Sequence, residues 1–197
     1  MSSVDSPDLW VALRPAAAFR RLAREGSGGG RWIAVRRPLF LVLVLASFGS
    51  LATSGRLSPR LLIGCAECAV FLPLLLVAAL ALVRDRKFPF TLAIDLFFTG
   101  HVPWSLWIIA LASVWAFTPP VQAYQWLAYR WVWYCAAGAA FVWSCYIDFW
   151  FLRRVFDRTP LQAVRDLVVL RSVAWTIGMA VFVGAAGWQV IATRFGL

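Results

Sequence analysis

Apolar residues fall along this chain in long blocks separated by short basic stretches, without the alternation of a half-buried strand. A helix crosses a bilayer with ~20 mostly apolar residues, within a range of about 17–25. Five blocks meet that requirement: residues 38–54, 61–83, 88–117, 124–152 and 172–193. No period-two pattern recurs in segments of about ten residues, so a lipid-embedded barrel does not fit. The pattern predicts an all-α, polytopic transmembrane bundle of five spans. Residues 1–37 form a leader and 38–197 the transmembrane domain.

Two segments outside the spans have the pattern of amphipathic helices. Ser6-Pro7-Asp8 reads as a helix start, with Ser6 as cap and Pro7 at the first helical position. Pro15 begins or kinks a second piece that runs to Glu25. Leu9, Trp10, Leu13, Phe19 and Leu22 supply its apolar side, and Arg20, Arg21 and Arg24 its basic one. Such a piece is expected to lie in the headgroup plane. Gly26-Ser27-Gly28-Gly29-Gly30 then forms a flexible hinge. After the fourth span, Thr159 and Gln162 make a capping box around Pro160, opening a helix whose apolar face is Leu161, Val164, Leu167 and Val168.

Composition agrees with the pattern: 62% of the 197 residues are hydrophobic and 14% charged. Soluble domains average roughly 45–50% apolar and about 25% charged. That excludes an ordinary soluble enzyme, a disordered chain and a disulfide-stapled secreted domain. The net charge of +10 comes from 19 Lys and Arg against 9 acidic residues. All but Arg56, Arg60, Arg130 and Arg194 fall on one side of the predicted topology. The positive-inside rule then puts the N-terminus in the cytoplasm and the C-terminus outside an inner membrane. The surplus is topogenic and faces anionic lipid headgroups, not nucleic acid. The leader is not a cleavable signal, because its first apolar block begins late and it contains Asp5, Asp8 and Glu25.

An ionisable group inside a span costs roughly 2.5–3.5 kcal/mol at a helix centre and marks a site to explain. The spans contain Glu67, Asp95, His101, Arg130 and Asp148. Counted at ~1.5 Å per residue, Glu67, His101 and Arg130 fall at similar outer depths and make one candidate cluster. Asp95 and Asp148 fall in the inner leaflet as a candidate pair, with Arg153 and Arg154 near enough to neutralise Asp148. Helix-fixing hydrogen bonds and salt bridges explain such a set, and an ion, proton or small-molecule site is the rival explanation. Thr91, Asp95 and Thr99 recur every four residues and form a polar stripe. Gly100-His101-Val102-Pro103 then breaks the third span, because Pro103 cannot donate to the carbonyl of Thr99. The sequence predicts that His101 or a water serves that carbonyl, and such breaks are where transporters coordinate ions.

Cys65-Ala66-Glu67-Cys68 is a C-x-x-C pair, with Cys135 at a similar depth and Cys145 deeper. Such pairs shuttle electrons when one thiol is acidified, but Glu67 inside the motif works against that. Cys65 and Cys68 therefore read as a redox candidate beside the commoner reading of small buried hydrophobes. A metal site of Cys65, Cys68 and His101 has a single His to draw on, so no metal is expected. Ala180, Gly184 and Gly187, and the run Ala136 to Ala140, would allow close helix approach. The aromatic fourth span could line a slot for a lipid tail, quinone or pigment. No cofactor is otherwise implied.

Trp10 to Leu22, the five spans and Phe98-Thr99-Gly100-His101-Val102-Pro103 together resemble the prokaryotic members of the Yip (Ypt-interacting protein) membrane family. That family has a Pro-containing amphipathic leader, five close spans and a similar break in the third. The Asp-Leu-Tyr-Gly-Pro signature of its eukaryotic members is absent, so their partnership with trafficking GTPases does not carry over. The resemblance implies a non-enzymatic scaffold or accessory subunit and designates no catalytic residues. The expectation is a protein that organises lipid or a partner membrane complex, through other subunits or self-association. A small proton- or ion-coupled transporter using Asp95 and His101 is one alternative, and a thiol-redox protein using Cys65 and Cys68 the other.

Overall fold

In the computed structural model, residues 7–25, 32–117 and 130–195 are described. Every element among them is a helix: α1 (Pro7–Leu13), α2 (Pro15–Glu25), α3 (Trp32–Ser54), α4 (Pro59–Ala69), α5 (Phe71–Val83), α6 (Phe90–Thr99), α7 (Val102–Phe117), α8 (Arg130–Val155) and α9 (Pro160–Phe195). Among the described residues, three spans are long and apolar enough to cross a membrane: Ala34–Leu51, Pro59–Val83 and Trp131–Val155. Counted as one span, the bent pair α6–α7 makes a fourth. This is a helical membrane protein.

Prolines set the internal breaks. Pro73 has no N–H for the carbonyl of Ala69, and α4 ends at that residue before α5 resumes at Phe71. The two still form one 25-residue span. Pro103 acts the same way on Thr99, and α6 and α7 meet at a 48° bend. The interruption read from Gly100 to Pro103 is therefore present. The Thr159–Gln162 box is also present: the Thr159 amide donates to the Gln162 side chain at 3.1 Å, and the Gln162 amide donates to the Thr159 hydroxyl at 3.3 Å. The helix it opens does not stop before the predicted fifth span. It runs unbroken as α9 for 36 residues, about 54 Å at ~1.5 Å per residue. No Gly or Pro lies between Pro160 and Gly178 to interrupt it. Residues 172–193 fall on this helix, largely in the part where only the backbone is described.

The helices pack with α3 against α4, α6 and α7, and with α9 against α5 and α8. The leader is docked on the bundle, where the sequence pattern placed it in the headgroup plane. Val11, Pro15, Ala18 and Phe19 are buried, and the ring of Phe19 meets Phe151 of α8 at 5.6 Å. Trp143 Nε1 donates to the carbonyl of Ala12 at 2.9 Å, satisfying a group that a helix C-terminus leaves open. Phe97 joins this cluster at 5.7 Å from Phe151, and His101 lies 4.9 Å from Phe97. Aromatic rings thus connect the leader to the helix break. The Ser6 cap, the Gly26–Gly30 hinge and residues 118–129 lie outside the described residues.

In the second leader helix the faces are as read, with Phe19 buried, Leu22 half-buried and Arg20, Arg21 and Arg24 exposed, whereas on α9 most of the expected apolar face points outward. Leu161, Val164 and Val168 are exposed, and the buried stripe of α9 is Ala163, Asp166, Leu170 and Ala174. In a bilayer, lipid is as apolar as leucine, so large aliphatic side chains gain nothing by turning inward. On α9 the inward stripe is small or polar apart from Leu170, and Asp166 in it makes ion pairs.

Candidate functional site

Three buried carboxylates organise the polar interior, each held by arginine. Asp95 on α6 is clasped by two arginines from the start of α3. Arg36 Nε lies 3.1 Å from its Oδ1, and Arg37 Nη1 lies 2.7 Å from its Oδ2. Arg37 Nη1 also donates to the Asp95 main-chain carbonyl at 2.9 Å. Thr99 Oγ1 donates to that same carbonyl at 3.0 Å, so the stripe read from Asp95 and Thr99 closes on itself. Thr91, its third member, is exposed.

Asp148 on α8 pairs with Arg171 of α9 at 2.5 Å, and the same Nη2 donates to Ser144 Oγ at 2.6 Å. The expected neutralisers, Arg153 and Arg154, do not make this bridge. They sit in the last turn of α8, and Arg154 stacks over Trp150. Nor do Asp95 and Asp148 form a pair, since each is already neutralised by its own cation. Asp166 on α9 takes Arg158 at 3.0 Å and Arg165 at 2.9 Å. Arg158 Nη2 also donates at 3.1 Å to the carbonyl of Val83, the last residue of α5. The α8–α9 turn is thereby tied to the end of α5.

Of the outer cluster, Glu67 and His101 lie in different surroundings. Glu67 is exposed on α4, an element with no buried residue. His101 is buried at the break between α6 and α7. The side chain of Arg130 lies outside the described residues. His101 Nδ1 lies 3.3 Å from the carbonyl of Phe97 rather than that of Thr99. Main-chain amides from Gly100 to Phe97 (3.0 Å) and from His101 to Phe98 (3.2 Å) tighten the same turn. Among the described residues, His101 Nε2 and Asp148 Oδ1 are buried without a hydrogen-bond partner. Gly100 lies close to Asp148, since an added Cβ there would stand 3.3 Å from its Oδ1.

All four cysteines are free thiols, with Cys65 half-buried and Cys68 exposed. Cys65 lies against Gly49 of α3, where a Cβ on the glycine would meet its Sγ at 2.9 Å. Its site is thus a packing contact between α3 and α4. Among the described residues no three His, Cys, Asp or Glu side chains converge on a metal position, so Cys65, Cys68 and His101 do not come together. Sequence reading missed Asp166, although its spacing from Ala163 and Leu170 puts an acid in the stripe that faces the protein.

Comparison with family models, with curated proteins and with solved structures found no match to this chain.

Proposed function

We propose that this protein is a non-catalytic scaffold or accessory subunit of an inner membrane, organising lipid or a partner complex. The observation that carries the reading is the arginine clasp on each of Asp95, Asp148 and Asp166. A buried carboxylate gripped by a guanidinium through charge-assisted hydrogen bonds is fixed in position, which suits architecture. Two further features support a partner face. Gly64 on α4 and Gly138 on α8 each have open space where a Cβ would go. Gly138 and Ala139 are exposed, and such small residues suit close approach by another helix. The arginine distribution supports a cytoplasmic N-terminus and an external C-terminus across five spans. The layout's resemblance to prokaryotic Yip-type proteins supports the same assignment.

Extraction of the native protein in lipid nanodiscs, followed by mass spectrometry, tests the reading. A protein or lipid partner in fixed stoichiometry is the expected result, lost on Gly138→Leu. Isolation of the chain alone, unchanged by that substitution, contradicts it. The transport alternative now rests on the unpartnered His101 Nε2 and Asp148 Oδ1, since Asp95 is occupied by two arginines. Proton uptake into proteoliposomes that disappears in His101→Gln would favour it.

A further inference from the structure

Glu67 is the one acid of the sequence-predicted set that faces outward from a span. It lies in α4, within the Pro59–Val83 span, about 12 Å along the axis from its start and about 24 Å from its end. A hydrocarbon core of ~30 Å centred on that span puts the Glu67 backbone about 9 Å inside it. The side chain is exposed, and no hydrogen bond or ion pair joins it to any described residue. Lys and Arg reach the headgroups from such a depth on long stems, but a glutamate is too short. A carboxyl group facing lipid is costly, and such groups pair with one another or with other polar atoms.

The surface around Glu67 admits a close neighbour. Within the chain α4 packs mainly on α3, and none of its residues is buried. Gly64 lies one turn from Glu67, with nothing within 4 Å of an added Cβ. At about 100° per residue, Gly64 and Phe71 run along the middle of the exposed face, with Glu67 and Cys68 on either side. The bare backbone at Gly64 lets a second helix come within reach of the Glu67 side chain.

Depth and chemistry together select the occupant. Two copies of one chain insert in the same orientation, so a two-fold axis along the membrane normal brings each residue opposite its counterpart at one depth. A protonated carboxyl group both donates and accepts, so two of them satisfy each other across that axis with no third group. An unrelated helix would need a donor placed at this same depth. Arg60 is exposed near the start of the span, where its long stem reaches water and does not oppose the pairing.

We infer that α4 is the seam of a homodimer, in which Gly64 lets two copies approach and their Glu67 carboxyl groups hydrogen-bond to each other inside the bilayer. The inference rests on the scaffold reading for a partner face at Gly64, and it names the occupant of that face.

The test uses the full chain in phosphatidylcholine vesicles, with donor or acceptor fluorophores at the N-terminus and energy transfer followed as lipid is added. Pairing that falls reversibly on dilution is the expected result. Glu67→Leu and Gly64→Leu each weaken it about tenfold, the scale of hydrogen bonds and close packing between membrane helices. Glu67→Gln, whose amide also donates and accepts, keeps it. Neither leucine removes a hydrogen bond or ion pair within the chain, so both variants fold. Oxidation with copper phenanthroline traps the dimer of a chain that keeps only Cys68, and not of one that keeps only Cys135, which is exposed on α8. A monomer, pairing that survives either leucine variant, equal loss in Glu67→Gln and Glu67→Leu, or equal trapping through Cys135 overturns the proposal. A monomer that still carries a fixed partner lost on Gly138→Leu would overturn this proposal and leave the scaffold reading standing.

Discussion

Asp148 illustrates how a charge is accommodated in this bundle. Its side chain is 1% exposed and that of Arg171 12%, so neither has water to fall back on. Removing one partner of such a pair costs roughly 3–5 kcal/mol, because the other charge is left buried and alone. Asp148→Asn should therefore lower unfolding stability in detergent by that order, whereas Arg153→Ala should change it little. Denaturation followed by circular dichroism checks both. A smaller backbone effect is expected at Gly55, whose φ of +67° suits glycine. Gly55→Ala should cost about 1–2 kcal/mol in the same assay, with nothing within 4 Å for the methyl group to strike. The sequence shows that Asp95 and Asp148 need partners, because an acid inside an apolar block is conspicuous. It does not show which arginines answer them, since Arg36, Arg37 and Arg171 reach their carboxylates from other helices. Five arginines that read as topogenic are in fact the clasps.

At the scale of elements, lipid outside the bundle reverses the usual rule for reading a helix face. The capping box at Thr159 and the break at Gly100 are local chemistry, and both were legible. Which side of α9 turns inward was not, because leucine is equally at home in lipid and in protein, whereas Phe19 and Leu22 of the leader turn inward as read. The docked leader depends on Phe19 between α2 and α8. Phe19→Ala should cost roughly 3–5 kcal/mol and free the leader to proteolysis while the spans remain helical. The break depends on Gly100. A methyl group there would stand 3.0 Å from Ile147 Cγ2 and 3.2 Å from the Phe97 carbonyl. Gly100→Ala should destabilise the bundle, and Gly138→Ala, on an open surface, should not. Thermal unfolding of the two variants side by side makes the comparison.

For the molecule as a whole, the leader, the bent span and the long α9 share one apolar core, and ion pairs and aromatic contacts cross between them. Large side chains such as Leu74, Leu82, Val142 and Val168 face outward, as expected where the solvent is hydrocarbon. Ion pairs between helices remote in sequence therefore fix the arrangement. The central claim is that the buried carboxylates serve this architecture. A double-mutant cycle of Asp148→Asn and Arg171→Gln, read by equilibrium unfolding in detergent, tests it most directly. The account predicts two destabilising single variants and a double variant that recovers part of the loss, with a coupling energy above about 1.5 kcal/mol. Additivity within about 0.5 kcal/mol, with Asp148→Asn as stable as the wild type, would contradict it.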